Sequence, residues 1–227
     1  MSRKVLWPPR KVSDATVKRA RETYEVILNE ADTVSTADEI VAMSARVDAM
    51  MPCHSEIFSA DVVARLDPRL KILANHSVGT DHCDLDALKA KGIAVTNTPD
   101  VLSDATAEIA MLLMLGAARR AVEGDRIVRS GGWDTWSPSF MVGKQVSGAR
   151  IGIVGMGRVG QAFAKKARGF DMEVHYYNRS RLPEHLEFGA HYHNSLDSLL
   201  PLADFLSLHC PATPQTKNLL NAVTLAM

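Results

Sequence analysis

Six residues, Gly155-Met156-Gly157-Arg158-Val159-Gly160, follow directly on the apolar stretch Ile151-Gly152-Ile153-Val154 and open a helical pattern that runs to Arg168. Glycines at this spacing recur by chance. A strand before them and a helix after them supply the context that a dinucleotide-binding turn requires. The three glycines then serve different purposes. Gly155 permits the tight turn, Gly157 lets the backbone approach a pyrophosphate, and Gly160 lets helix and strand pack closely. The unpaired N–H groups and the positive dipole end of the helix face the phosphates. The alternative is a plain glycine-rich connection between strand and helix.

About 20 positions past such a turn, a carboxylate at the end of the second strand binds the ribose 2′-hydroxyl of NAD. Here the segment reads His175-Tyr176-Tyr177-Asn178-Arg179-Ser180-Arg181, which puts Asn178 where the acid would stand. A carboxylate repels a 2′-phosphate. Asn178 does not, and Arg179, Ser180 and Arg181 offer it charge-assisted hydrogen bonds. NADP is therefore the expected cofactor ahead of NAD. The plainer account of these arginines is a solvated strand end.

The rest of the chain fits an α/β architecture. Short apolar runs at 4–7, 24–28, 48–51, 71–75 and 93–96 read as strands. Helical stretches near 13–22, 36–46, 59–66 and 84–91 lie between them, opened by Ser13, Thr36, Ser59 and Asp84 as caps. Strand and helix in repeated alternation predict a parallel sheet covered on both faces. Asn97-Thr98-Pro99 breaks the rhythm, and a long helix over 103–120 follows. Ile109, Leu112, Leu113 and Gly116 share one of its faces, which is expected to be buried. A second helix runs to about Arg129. The loop Gly131-Gly132-Trp133-Asp134-Thr135-Trp136-Ser137-Pro138 comes next. Its two tryptophans fit either a subunit interface or packing within the chain. From Ala149 the rhythm resumes with strands at 150–154, 172–177, 190–192 and 204–208 and helices at 158–169 and 195–201. Another helix is expected to start before Met227. The expected domains are 1–99 and 100–227.

Composition narrows the ligand. Lys and Arg number 26 and Asp and Glu 26, so the chain has no net charge. It has no broad basic field for nucleic acid or an anionic membrane. A small molecule is the expected partner. The longest apolar run, 109–118, is half of the roughly 20 residues that cross a bilayer. The first 21 residues hold seven Lys or Arg against Asp14 alone. They lack the apolar stretch of a secretory signal, and Val5-Leu6-Trp7 before Pro8-Pro9 reads better as a strand and turn than as a transit peptide. Cys53, Cys83 and Cys210 are odd in number and far apart, which points to neither a disulfide framework nor a zinc site. His191 and His193 share one face of a short strand, yet without further ligands no metal is expected. The expected location is the cytoplasm.

Four segments, taken in order, resemble the D-2-hydroxyacid dehydrogenases, and within them the glyoxylate and hydroxypyruvate reductases. They are His76-Ser77-Val78-Gly79-Thr80-Asp81-His82; Val95-Thr96-Asn97-Thr98-Pro99 continuing to Asp104-Ala105-Thr106-Ala107-Glu108; the glycine-rich turn; and Leu208-His209-Cys210-Pro211-Ala212-Thr213-Pro214-Gln215-Thr216. The resemblance covers the whole chain. It implies a flavodoxin-like substrate domain and a Rossmann domain, a doubly wound parallel sheet, with the active site in the cleft between them and hydride transfer between NADP(H) and a small 2-oxo acid.

The resemblance also assigns roles. Val78 and Gly79 resemble the loop whose amides hold the substrate carboxylate. Thr106 resembles the residue that touches the cofactor from the long helix, and Arg158 and Val159 lie at the pyrophosphate. Cys210, Pro211 and Thr216 resemble the adenosine-side wall. Helix 101–120 and the loop of Trp133 and Trp136 resemble the arm of a homodimer. In this family an Arg, a Glu and a Pro-His pair follow. The sequence reaches Met227 without them, so the Rossmann domain is expected to be incomplete and the 227 residues alone are not expected to turn over substrate. His76 and His82, beside the Val78-Gly79 loop, are the next candidates if they do. The alternative is a non-catalytic NAD(P)-binding or dimerising protein of the same fold.

Overall fold

Four helices of the first hundred residues start where a small polar side chain closes their first turn. Ser13, Thr36, Ser59 and Asp84 each accept a backbone N–H three residues on, and Thr36 forms a reciprocal capping box with Glu39. The computed structural model describes residues 3–227; Met1 and Ser2, at the head of the basic N-terminal stretch, lie outside the described residues. Two units divide the chain, Met1–Val101 and Leu102–Met227.

In the first unit β1 (Val5–Trp7), β2 (Glu25–Val26), β3 (Ala49–Met50), β4 (Ile72–Ala74) and β5 (Ala94–Thr96) alternate with α1 (Asp14–Thr23), α2 (Ala37–Ser44), α3 (Ala60–Arg65) and α4 (Leu85–Ala90). All strand pairs are parallel, in the order β2-β1-β3-β4-β5. This is the flavodoxin-like order. Its core packs Trp7, Ile40, Met50, Phe58, Val63, Leu70, Leu73 and Leu88. Asp48, just before β3, accepts the Val5 amide at 2.8 Å and so pins β1 to its neighbour.

The second unit contains α5 (Ser103–Ala118), α6 (Ala121–Arg129), β6 (Arg150–Val154), α7 (Arg158–Arg168), β7 (Glu173–Tyr177), α8 (Glu184–Glu187), β8 (His191–His193), α9 (Leu196–Leu199), a 3-10 turn and β9 (Phe205–Leu208). The parallel order is β8-β7-β6-β9, the opening half of a doubly wound sheet. Asp204 repeats the device of Asp48. It accepts the Arg150 amide at 2.9 Å and pairs with Lys144 and Arg150.

Two expectations fail here. The face of α5 formed by Ile109, Leu112 and Leu113 is exposed, at 56%, 63% and 67%. Ala107, Met111 and Ala118 are buried instead, with Ala110, Met114 and Leu115 beside them in the core around Ile151, Ile153, Phe163 and Tyr176. Alanines let two helices approach closely, and α5 packs along α7 on that side. A hydrophobic pattern locates an apolar face, but it does not choose between two of them. The segment before Met227 forms turns and not a helix.

Candidate functional site

The strand β6 runs out at Val154, and Gly155 takes φ +96°, a conformation that a side chain rarely adopts. A Cβ there would lie 2.5 Å from the Cys210 amide nitrogen and 2.7 Å from the His209 carbonyl carbon. The turn thus nests against the segment leaving β9, where the His209 amide donates to Val154 O at 2.8 Å. Gly160 is equally tight, because its Cβ would strike the Gly155 carbonyl oxygen. Gly157 differs. It precedes α7 with extended backbone, φ −76° and ψ −160°, and a Cβ there would meet nothing within 4 Å. Two glycines serve packing, and the third leaves space in front of the helix.

That helix end is left uncapped by the protein. No side chain caps α7, and its first turn holds Arg158 and no acid. The amides of Gly157, Val159 and Gly160 donate to no protein group among the described residues. Unpaired amides and the helix dipole together favour a phosphate.

Asn178 closes the far side of the turn. Its Oδ1 accepts the Met156 amide at 2.7 Å. Arg179 and Ser180 follow, both exposed, with no ion-pair partner for Arg179 among the described residues. Arg181, expected beside them as a further donor to a 2′-phosphate, is engaged within the chain. Its Nε and Nη2 donate to Glu187 Oε1 and Oε2 at 2.8 and 2.9 Å. Glu187 is 3% exposed and also accepts the Tyr176 hydroxyl at 2.5 Å, and the Leu182 amide donates back to that hydroxyl at 3.1 Å. Hydrogen bonds from Arg181 and Tyr176 hold the Glu187 carboxyl down to about 2, while burial and the nearby carboxylate push the Tyr176 phenol up to about 12. Nothing local in the sequence marks Glu187. It meets Arg181 only because the chain turns back through α8.

The remaining residues expected in this unit fall in separate places. Cys210 lies against Gly155. Pro211 and Thr216 close one turn, with Thr216 Oγ1 donating to Pro211 O at 2.7 Å. Thr106 is exposed in the first turns of α5, whose Asp104 pairs with Lys166 of α7 at 2.5 Å. Trp133 and Trp136 are 56% and 74% exposed and, with Ile127, Val128, Phe140 and Met141, line a groove of about 280 Å³.

In the first unit the loop after β4 has the carbonyls of Ser77, Val78 and Gly79 engaged. Asn97 Nδ2 donates to Val78 O at 2.8 Å, Ser77 Oγ to Gly79 O at 2.7 Å, and the Thr98 amide to Ser77 O at 3.0 Å. The Val78 and Gly79 amides donate to nothing among the described residues. Under the loop, Asn75 Nδ2 donates to Thr96 O, so its Oδ1 accepts from His82 Nε2 at 2.9 Å. His82 Nδ1 is left buried without a partner, and burial pushes the ring below its ordinary value. His76 is exposed, with Nδ1 3.9 Å from Cys53 Sγ. Burial raises Cys53 and lifts Cys83 to about 11, so neither is a ready thiolate.

The histidines of β7 and β8 form a cluster that the sequence showed only in part. His175 Nδ1 lies 2.9 Å from His193 Nε2, and Glu173 Oε1 lies 3.2 Å from His175 Nε2 and 3.4 Å from His191 Nε2. Among the described residues no group of three such side chains is arranged to hold a metal ion.

Residues 111–227 match the family model of the D-isomer specific 2-hydroxyacid dehydrogenase, NAD binding domain. Glycerate dehydrogenase of Hyphomicrobium methylovorum is 41% identical over 223 residues, a match that takes in 97% of this chain and 68% of that protein. The chain belongs to the D-isomer specific 2-hydroxyacid dehydrogenases. Glyoxylate reductase of Thermococcus onnurineus is also 41% identical, over 93% of this chain and 64% of its own. The chain thus spans about two thirds of the length of these relatives. Among solved structures, a Polaromonas protein described as a D-isomer specific 2-hydroxyacid dehydrogenase superposes with a TM-score of 0.93 at 42% identity, over 99% of this chain and 70% of that one. An NADPH-dependent glyoxylate/hydroxypyruvate reductase from Sinorhizobium meliloti, in complex with NADP and malonate, gives 0.80 at 27% identity, over 99% and 68%. In this 2-hydroxyacid dehydrogenase chain the matched segment begins inside α5 and includes the whole β6–β9 sheet. No helix among the described residues is long and apolar enough to cross a membrane.

Proposed function

We propose that this chain serves an NADP(H)-dependent reductase of small 2-oxo acids of the glyoxylate and hydroxypyruvate type, with one unit for the carboxylate and one for the dinucleotide. The observation that carries the reading is the end of β7, where Asn178, held by the Met156 amide, is followed by an exposed and unpaired Arg179 in place of a carboxylate. The NADP-bound Sinorhizobium reductase, of the same fold, supports it. The turn at Gly155, Gly157 and Gly160, with Arg158 and Val159, would hold the pyrophosphate, and Gly157 has the open space that the group needs. Asn178, Arg179 and Ser180 would read the adenosine ribose, with Thr106, Cys210, Pro211 and Thr216 around the cofactor. The bound nicotinamide would supply the hydride.

The Val78 and Gly79 amides would donate hydrogen bonds to the substrate carboxylate. They are unpaired, and they leave the carboxyl end of a parallel strand, where ligands of α/β proteins sit. The exposed apolar face of α5 and the Trp133–Trp136 groove suit a homodimer, because so many large apolar side chains are rarely left to water. The three free cysteines suit a reducing compartment, and we place the protein in the cytoplasm.

The decisive experiment is titration of the chain with NADPH and NADH before and after Arg179→Ala. One lost charge-assisted bond weakens NADPH about tenfold or more and leaves NADH nearly unchanged. Equal losses for the two cofactors would remove the assignment.

A further inference from the structure

Two arginines stand two residues apart at the end of β7, and the structure treats them differently. Arg179 is exposed and unpaired among the described residues. Arg181 has 63% of its side chain exposed, yet its guanidinium is clasped by both oxygens of a carboxylate that is itself 4% exposed. That carboxylate is further fixed by the Tyr176 hydroxyl, and the guanidinium lies 5.9 Å from the centre of the Tyr192 ring. We infer that Glu187 is a specificity-determining residue for the cofactor: it masks the charge of Arg181 and leaves Arg179 as the one net cation that a 2′-phosphate meets at this strand end.

The inference rests on the NADP reading, and it reverses what the sequence implies for Arg181. A bidentate arginine–carboxylate pair has no net charge, so a nearby ligand meets a dipole in place of a full cation. Neither member gives way easily. Glu187 is too deep to rotate into water without leaving the Tyr176 hydroxyl unpaired, and Arg181 would abandon a buried charge if it left. The pair therefore holds together over the whole physiological pH range. Glu187 does not touch the cofactor in this account. It acts through Arg181.

A mask makes a prediction that a structural tie does not, because damage to the fold weakens binding whereas unmasking strengthens it. Glu187→Gln keeps the shape and an acceptor for the Tyr176 hydroxyl but releases Arg181. The experiment measures dissociation constants of 2′,5′-ADP and 5′-AMP for the chain and its variants by calorimetry. The expected result for Glu187→Gln is about fivefold to tenfold tighter 2′,5′-ADP with 5′-AMP unchanged, the effect of one uncompensated charge near 4 Å. The added substitution Arg181→Ala should abolish the gain. Unchanged or weaker 2′,5′-ADP binding in a folded Glu187→Gln chain overturns the mask. If that variant does not fold, the charge-neutral double substitution Arg181→Gln with Glu187→Gln decides: a change in 2′,5′-ADP affinity under threefold supports the mask, and a larger loss overturns it. The unmodified chain tests the underlying reading separately. If it binds 2′,5′-ADP no better than 5′-AMP, the NADP assignment falls, whereas the Glu187→Gln ratio still judges the mask.

Discussion

Alanine at Gly155 and alanine at Gly157 should have opposite consequences, although the two glycines are separated by one residue. At Gly155 the backbone has φ +96°, and a non-glycine residue held in such a region is strained by about 1–3 kcal/mol. The new Cβ would also fall 2.5–2.8 Å from backbone atoms of His209 and Cys210. Those atoms belong to the segment bonded to Val154, so relief requires the β9 end to move, and overpacking of that kind costs about 1–3 kcal/mol. Gly155→Ala should therefore lose roughly 2–6 kcal/mol, a large part of an ordinary domain's stability. At Gly157 the conformation is open to alanine and a Cβ meets nothing within 4 Å, so stability should stay within about 0.5 kcal/mol. The methyl would instead occupy the space in front of α7, and dinucleotide affinity should fall by about tenfold or more. Urea unfolding of the two variants and titration of Gly157→Ala with NADPH test both halves. Equal destabilisation by the two substitutions, or full NADPH affinity in Gly157→Ala, would refute the division of labour.

Acid should weaken the second unit in two stages. Burial holds His175 below its ordinary value of 6.5 despite Glu173, with His191 and His193 adding to the shift. The unfolded chain therefore binds the proton first, and stability should decline as pH falls below about 6.5. His175→Gln should flatten that part of a plot of urea midpoint against pH. The Asp204 carboxyl is held down to about 2 by the Arg150 amide and Lys144, so its contribution is complete above its ordinary value of 3.8 and is lost as pH falls through about 2. Asp204→Asn should remove that dependence and lower the midpoint at pH 7, and an unchanged midpoint would show that the tie between β6 and β9 is idle. Leu112→Asp with Leu113→Asp, on the exposed face of α5, should leave unfolding unchanged and abolish self-association in sedimentation, because both side chains already face solvent within one chain. Loss of stability without loss of association would contradict the dimer.

Much of the fold was legible because its signals are local. Ser13, Thr36, Ser59 and Asp84 cap their helices through bonds that span three residues, and strand–helix alternation with short connections leaves a parallel sheet as the outcome. The glycine-rich turn was legible for the same reason, since its strand, turn and helix are contiguous. What the sequence left undecided depends on partners distant along the chain. Gly155 and Cys210 are 55 positions apart, and their approach exists only because β9 inserts beside β6. The three histidines beside Glu173 meet because β8 returns parallel to β7. Arg181 and Glu187 have the same charges in any conformation, but only the reversal through α8 places the carboxylate where it neutralises the guanidinium. On α5 both faces are apolar, so periodicity alone could not tell them apart. The neighbouring α7 decided: its close approach admits the alanines of one face and leaves Ile109, Leu112 and Leu113 of the other to the surface.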